Sequence, residues 1–364
     1  MSLFEGPIDI IGDIHGEAGP LFQLLDILGY DGNGKHPEGR RLVFVGDLVD
    51  RGTDSITVVH FVKSLVDSGR AQAVLGNHEL NLLLGSRKHG NLWFWGETEA
   101  ITKEAKEGPS AVSFQRLADE SFRTSALTFF RSLPIALERA DARVVHACWD
   151  PDAIAAVRAI PAGTDAATAA RSFEPRVHEL QAAAADDIGR DLARQNGNPV
   201  RVLTSGPEER AAAEFYAGGR VRSVARTRWW ERYADAPLAV FGHYWRRFPV
   251  PAATPPALAA YRPAGGAELF GPTAAAAALG PRGTAACVDY SVGLRYEERG
   301  KRLPPGGLGT HLVALRLPER TLHREDGAVA PLAPPPGAEE CAAVAGPGGA
   351  GGLGRKAVRN PFRR

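Results

Sequence analysis

The chain has 364 residues, 44% hydrophobic and 23% charged, with a formal net charge of +1. Such a balance excludes a global field that could hold nucleic acid non-specifically, so any anionic ligand must be caught by local charge. Three cysteines in no metal-ligand spacing exclude a disulfide scaffold, and no apolar run approaches the roughly 20 residues that span a bilayer.

Met1 to Pro7 lack a basic region followed by an apolar stretch, so the expectation is a cytoplasmic protein with no membrane attachment. Residues 8–12, 42–46 and 72–76 are short apolar runs, each ending in glycine, and predict strands. Helical periodicity fills the intervals: Leu21, Leu24, Leu25 and Leu28 within 17–28, then Ile56, Val59, Phe61, Val62 and Leu65 within 55–67. Strand, helix, strand, helix, strand predicts an α/β sheet with crossover helices. Ligands of such sheets gather at the carboxyl ends of the strands. There stand Gly12-Asp13-Ile14-His15-Gly16, Gly46-Asp47-Leu48-Val49-Asp50-Arg51-Gly52 and Gly76-Asn77-His78-Glu79.

Further strands are predicted at 143–147, 238–242, 286–289 and 312–317. The Ala-rich stretch 151–233 predicts a helical insertion covering the site, and 249–284, dense in Pro, Ala and Gly, a long loop. Residues 1–330 then form one domain, followed by a disordered tail over 331–364 with a basic end.

Asp, His and Asn at neighbouring strand ends suit a pair of divalent cations, which lower the pKa of a shared water and neutralise charge on a phosphoryl group. Asp47, on the middle strand, is the natural bridging carboxylate. Asp13 and His15 converge on the first cation; Asn77, His146 and His243 complete the second. His78 can protonate a leaving oxygen, Asp50 can hold that imidazole, and Arg51 offers a fork matched to phosphate. Singly, Asp13 and Asp47 would read as helix caps; their joint contexts favour metal ligation. Glu79 reads as a capping group. His60, His89, His178 and His323 read as structural or exposed, and His311 as outside the site.

These segments resemble the phosphoprotein phosphatase branch of the calcineurin-like metallophosphoesterases, the Asp-Arg-Gly extension at Asp50-Arg51-Gly52 favouring that branch. The resemblance implies a two-sheet β-sandwich flanked by helices, with two metals, commonly manganese, iron or zinc, at one edge. It places the metals on Asp13, His15, Asp47, Asn77, His146 and His243, the acid pair on His78 and Asp50, and phosphate on Arg51; manganese is the metal expected to serve in vitro.

The chain departs from the pattern at His146-Ala147-Cys148-Trp149, where His-Gly-Gly is usual, at Thr53, where proline is usual, and at Val74-Leu75, where an arginine is common. A second phosphate arginine has no clear counterpart; Arg226 and Arg228 are the candidates, with Arg246 behind them. The cluster of Arg220, Arg222, Arg226, Arg228 and Arg232 with Trp229, Trp230 and Tyr233 reads equally as a nucleotide grip and as a solvated helix face whose aromatics pack on the core. Trp93 and Trp95 read equally as a wall of the site and as core.

The resulting expectation is a two-metal phosphoesterase acting on phosphate monoesters, phosphoprotein or small molecule, by attack of a metal-bridging hydroxide. The alternative is a dinucleoside polyphosphate hydrolase, which the C-terminal strands resemble as much. A regulatory module with a silent site is the third reading.

Overall fold

A computed structural model describes residues 1–88, 90–98, 115–217, 220–252, 269–271 and 273–334. His89, Cys341, residues 253–268 and 272 of the expected 249–284 loop, and the tail beyond 334 lie outside these residues.

The first three strands, β1 (Ile8–Ile11), β2 (Arg41–Phe44) and β3 (Ala71–Ala73), run parallel. Helices α1 (Ala18–Leu28) and α2 (Ser55–Asp67) make the crossovers, as the periodicity predicts. Asp54 caps α2 by accepting from the Thr57 backbone N–H at 3.0 Å, and α1 ends on Gly29, whose φ of 89° suits glycine. Strands β4 (Ala136–Glu138) and β5 (Ala142–Val145) open a second sheet, and β6 (Glu208–Ala217) and β7 (Arg220–Arg226) form a separate hairpin. The second sheet is completed by β8 (Leu238–Phe241) and β9 (Ala285–Cys287), in the order β4-β5-β8-β9. Strands β10 (Asp289–Tyr290), β11 (His311–Leu317), β12 (Thr321–Arg324) and β13 (Val329–Pro331) join the first sheet, with β11 antiparallel to β1.

Period-two alternation divides the apolar residues of the two sheets between two cores. Ile8, Ile10 and Val43 join Val144, Val240, Ala286, Val313 and Leu315 in the core shared by the two sheets. Their neighbours Ile11, Leu42, Phe44, Val145 and Phe241 belong instead to the core built with the helices. Each fully buried aliphatic side chain contributes about 1.5–3 kcal/mol, so a one-residue register slip, which exchanges the faces, is strongly disfavoured. The sandwich flanked by helices is the expected α/β architecture.

Two expectations need correction. Helices occupy the insertion between Pro151 and Ser205, with one further 3-10 turn at Trp229–Arg232; Glu208–Ala217 and Arg220–Arg226 are the strand pair β6–β7. Ala211 to Ala213 favour helix intrinsically, but they fall at a register irregularity between the pairs Arg210–Val224 and Phe215–Arg222, and the strand pairing on both sides overrides so weak a preference. Within 249–284, Ala277 and Leu279 are buried and bridge to Ala333 and Ala285, so that end of the expected loop is tied to the sheets. No helix among the described residues is long and apolar enough to cross a membrane.

Candidate metal centre

The turns leaving β1 and β2 are zipped together by backbone hydrogen bonds: the N–H groups of Ile14 and His15 both donate to the Asp47 carbonyl, and that of Gly16 to Leu48. His15 (φ 47°), Asp47 (φ 48°), Asp50 (φ 71°), Arg51 (φ 68°) and His243 (φ 70°) all adopt the left-handed conformation. Side chains other than glycine pay for that conformation, and such residues concentrate at functional sites. Glu79 secures the β2 turn. Its buried carboxylate accepts from the N–H groups of Asp47, Leu48, Val49 and Gly76 at 2.8–3.3 Å. Burial and the charge on Asp47 push the Glu79 carboxyl up to about 7.

Across from these turns, β5 and β8 end in His146 and His243. The Asp47 Oδ2 atom lies 3.3 Å from His146 Nε2, 3.7 Å from His15 Nε2 and 3.8 Å from His78 Nε2. Asp13 Oδ2 is 3.9 Å from His15 Nε2. Asn77 Oδ1 sits 3.1 Å from His146 Nε2 and 2.8 Å from His243 Nδ1. The structure thus brings together all six residues expected to hold metal. Two triads, His15–Asp47–His78 and Asp47–His146–His243, each have their donor atoms within 4.8 Å of one another and share Asp47.

The arrangement fits cations. Nδ1 of His15 lies 3.0 Å from the Val49 carbonyl and Nδ1 of His146 lies 2.8 Å from that of Val45, so these nitrogens donate and each Nε2 lone pair faces the cluster. Among the described residues, His15 Nε2 and Asp13 Oδ1 are buried without a hydrogen-bond partner, a costly state that a cation would relieve. Burial, with Asp289 and Asp47 nearby, holds the Asp13 carboxyl well above the usual range. Burial acts the same way on Asp47, yet His146 and His78 keep its carboxyl well below that range. Burial disfavours the charged form of His146, but Asp47 beside it pushes the imidazole up to about 10. Mixed carboxylate, imidazole and amide oxygen donors suit divalent ions such as manganese, iron or zinc.

Beside the cluster, His78 Nδ1 lies 2.5 Å from Asp50 Oδ2, leaving Nε2 directed at the centre. The other Asp50 oxygen accepts from Trp93 Nε1 at 2.7 Å. Trp93 is therefore both core and a partner of the site, a role that its aromatic run Leu92-Trp93-Phe94-Trp95 does not reveal. Arg51 stacks its guanidinium 4.2 Å above the Trp245 ring. Arg226 reaches in from β7, donating to the His243 carbonyl at 2.7 Å.

Arg228, the other arginine candidate, lies two residues past the end of β7, where it is exposed and paired with Glu231 at 3.0 Å. Trp229, Trp230 and Tyr233 pack against Phe241 or one another in the core, so they offer no stacking face to a nucleotide. His311 hydrogen-bonds Glu325 at 3.1 Å in a separate buried ionic group. Buried Asp289 was not predicted for the site; its side chain accepts from the N–H groups of Trp245 (2.7 Å) and Ser291 (2.8 Å) and fixes the turn after His243.

Comparison with known proteins adds family evidence. A family model for calcineurin-like phosphoesterases matches residues 6–244. An asymmetrical bis(5'-nucleosyl)-tetraphosphatase from Halalkalibacterium halodurans is 41% identical over 107 residues, 27% of this chain and 44% of the relative. A symmetrical bis(5'-nucleosyl)-tetraphosphatase from Marinomonas is 45% identical over 83 residues, 23% of this chain and 28% of the relative. The chain thus spans less than half the length of either curated relative. Among solved structures, the cold-active protein-tyrosine phosphatase of a psychrophilic Shewanella aligns over 91% of this chain and 81% of its own, at 15% identity and a TM-score of 0.45.

Proposed function

The chain belongs to the calcineurin-like phosphoesterase family and is a metal-dependent phosphoesterase, and from that premise we propose that it hydrolyses dinucleoside polyphosphates. The observation that carries the chemistry is the buried Asp47 carboxylate facing both His15 and His146, with the His78–Asp50 dyad beside it, His78 Nε2 lying 3.8 Å from that carboxylate. The substrate class is supported by the relatives, which are named as bis(5'-nucleosyl)-tetraphosphatases.

In this reading Asp13, His15, Asp47, Asn77, His146 and His243 hold two divalent ions, manganese among the candidates. Bound there, the ions supply Lewis-acid polarisation and an acidified water. The chain's own residues do the rest. Arg51 places its fork on the phosphoryl oxygens, and Arg226 adds positive charge beside His243. His78 donates the Nε2 proton to the leaving oxygen, while Asp50 accepts from Nδ1–H and stabilises the imidazolium. Trp93 holds the Asp50 carboxylate in place.

The completeness of the His78–Asp50 dyad favours a second reading, phosphate monoesters. An alkoxide leaving group needs the proton far more than a nucleotide phosphate, whose own second pKa is about 6. Diadenosine tetraphosphate, para-nitrophenyl phosphate and a phosphoserine peptide, each offered to the manganese-loaded protein, decide between them. A kcat/KM for diadenosine tetraphosphate at least tenfold above the others is expected. Preference for the peptide would replace the proposal with the monoester reading, and metal binding with no turnover would leave a regulatory module.

A further inference from the structure

Arg51 is half-buried, yet among the described residues it makes no hydrogen bond or ion pair; its contact is the face of Trp245, 4.2 Å from the guanidinium carbon. Gly293 lies against the stem of the Arg51 side chain. A Cβ there would come within 3.1 Å of Arg51 Cδ and 2.5 Å of His15 Cδ2, so only glycine admits both side chains. An arginine steadied by a carboxylate commits donors to it, whereas one steadied by an aromatic face keeps all five N–H groups for an anion.

The platform is itself held. Trp245 has a φ of 57° and Ser291 a φ of 62°, and the buried Asp289 carboxylate accepts a backbone N–H from each. Ser291 Oγ donates to the Arg246 carbonyl at 2.9 Å. The turn carrying His243 and Trp245 is thereby stapled to the turn carrying Ser291 and Gly293, and Arg51 lies between the two. Trp245 is half-buried, while Trp93, Trp229 and Trp230 are enclosed in the core.

We propose that Trp245 is a positioning residue, a stacking platform that presents the Arg51 guanidinium to the phosphoryl group, and that Asp289 locks the platform. This rests on the phosphoesterase reading but names residues that the reading does not use. It also explains how a half-buried arginine keeps one orientation with no carboxylate among the described residues in direct contact with it; the Asp289 charge acts on Arg51 without a hydrogen bond to it.

The test is calorimetric binding of inorganic phosphate to the full, manganese-loaded chain, with steady-state kinetics alongside, for Trp245→Leu, Trp245→Phe, Arg51→Ala and the Arg51→Ala/Trp245→Leu double variant. A cation–π contact at a partly exposed site predicts a roughly fivefold weaker phosphate affinity for Trp245→Leu, expressed in KM more than in kcat. Trp245→Phe, which keeps a ring, should lose about twofold or less. In the Arg51→Ala background, Trp245→Leu should change nothing further, because the residue acts only through the arginine. Wild-type phosphate affinity in Trp245→Leu, or an undiminished loss in the double variant, would overturn the proposal. If the wild-type protein binds phosphate with this coupling yet hydrolyses no phosphoester, the platform stands and the assigned activity fails. Should Trp245→Leu not fold, Trp245→Phe with and without Arg51→Ala carries the same comparison.

Discussion

Replacing Trp93 by Phe removes one hydrogen bond that joins the core to the site. Nε1–H donates to Asp50 Oδ1 at 2.7 Å, with Trp93 3% and Asp50 2% exposed. A hydrogen bond to a charged acceptor is worth about 1.5–3 kcal/mol, and here the acceptor has no water to turn to. The smaller ring also leaves a void of roughly 40 Å³, which adds about 1 kcal/mol at the usual cost of cavity volume. The sum, about 3 kcal/mol, should appear as a lower urea midpoint at unchanged m-value.

The catalytic effect follows from the same bond. Asp50 keeps His78 as partner but loses the donor that fixes its plane, so the proton reaches the leaving oxygen from a wider range of angles. A tenfold fall in kcat with little change in KM is expected, well short of the 10²–10⁴ that a whole general acid provides. Urea titration followed by circular dichroism measures the first quantity and steady-state turnover the second. A Trp93→Phe protein with kcat within twofold of wild type would refute the idea that this indole organises the dyad.

Other substitutions probe the remaining contacts. Gly242→Ala would set a Cβ 1.9 Å from Asp13 Oδ1, so metal content by elemental analysis should fall while the circular dichroism spectrum stays native. Asp47→Asn removes the carboxylate common to both triads, and should abolish turnover and lower the number of bound manganese ions per chain. Arg226→Ala should raise KM by about tenfold, whereas Arg228→Ala, exposed and paired with Glu231, should leave kcat/KM within about twofold. Equal effects from the two arginines would undo the distinction drawn between them.

The first eighty residues disclosed much of this in sequence because their geometry is local. Asp13, Asp47 and Asn77 each follow an apolar run and a glycine, so strand end and ligand are read in one glance. His146 and His243 were readable for the same reason, each ending a strand of the second sheet. What stayed hidden depends on contacts across the chain. Nothing in Leu92-Trp93-Phe94-Trp95 says that one indole reaches back 43 residues to Asp50. Arg226 and Arg228 stand two apart and look alike, but the strand that aims the first ends before the second. The strand pair β6–β7 was obscured by alanines at a register irregularity, whose helix preference is weaker than the pairing on either side of them.

The donors come from both sheets: Asp13, Asp47 and Asn77 from the ends of β1–β3, His146 and His243 from the ends of β5 and β8. On the proposed reading, a cation pair seated among them would act as a rivet between the two sheets. Sliding one sheet past the other by a single residue, about 3.3 Å, would pull Asn77 Oδ1 off His243 and empty the joint. Sheet alignment and metal retention would then be one mechanical property, and a ligand bound here would also set how firmly the two sheets are held in register.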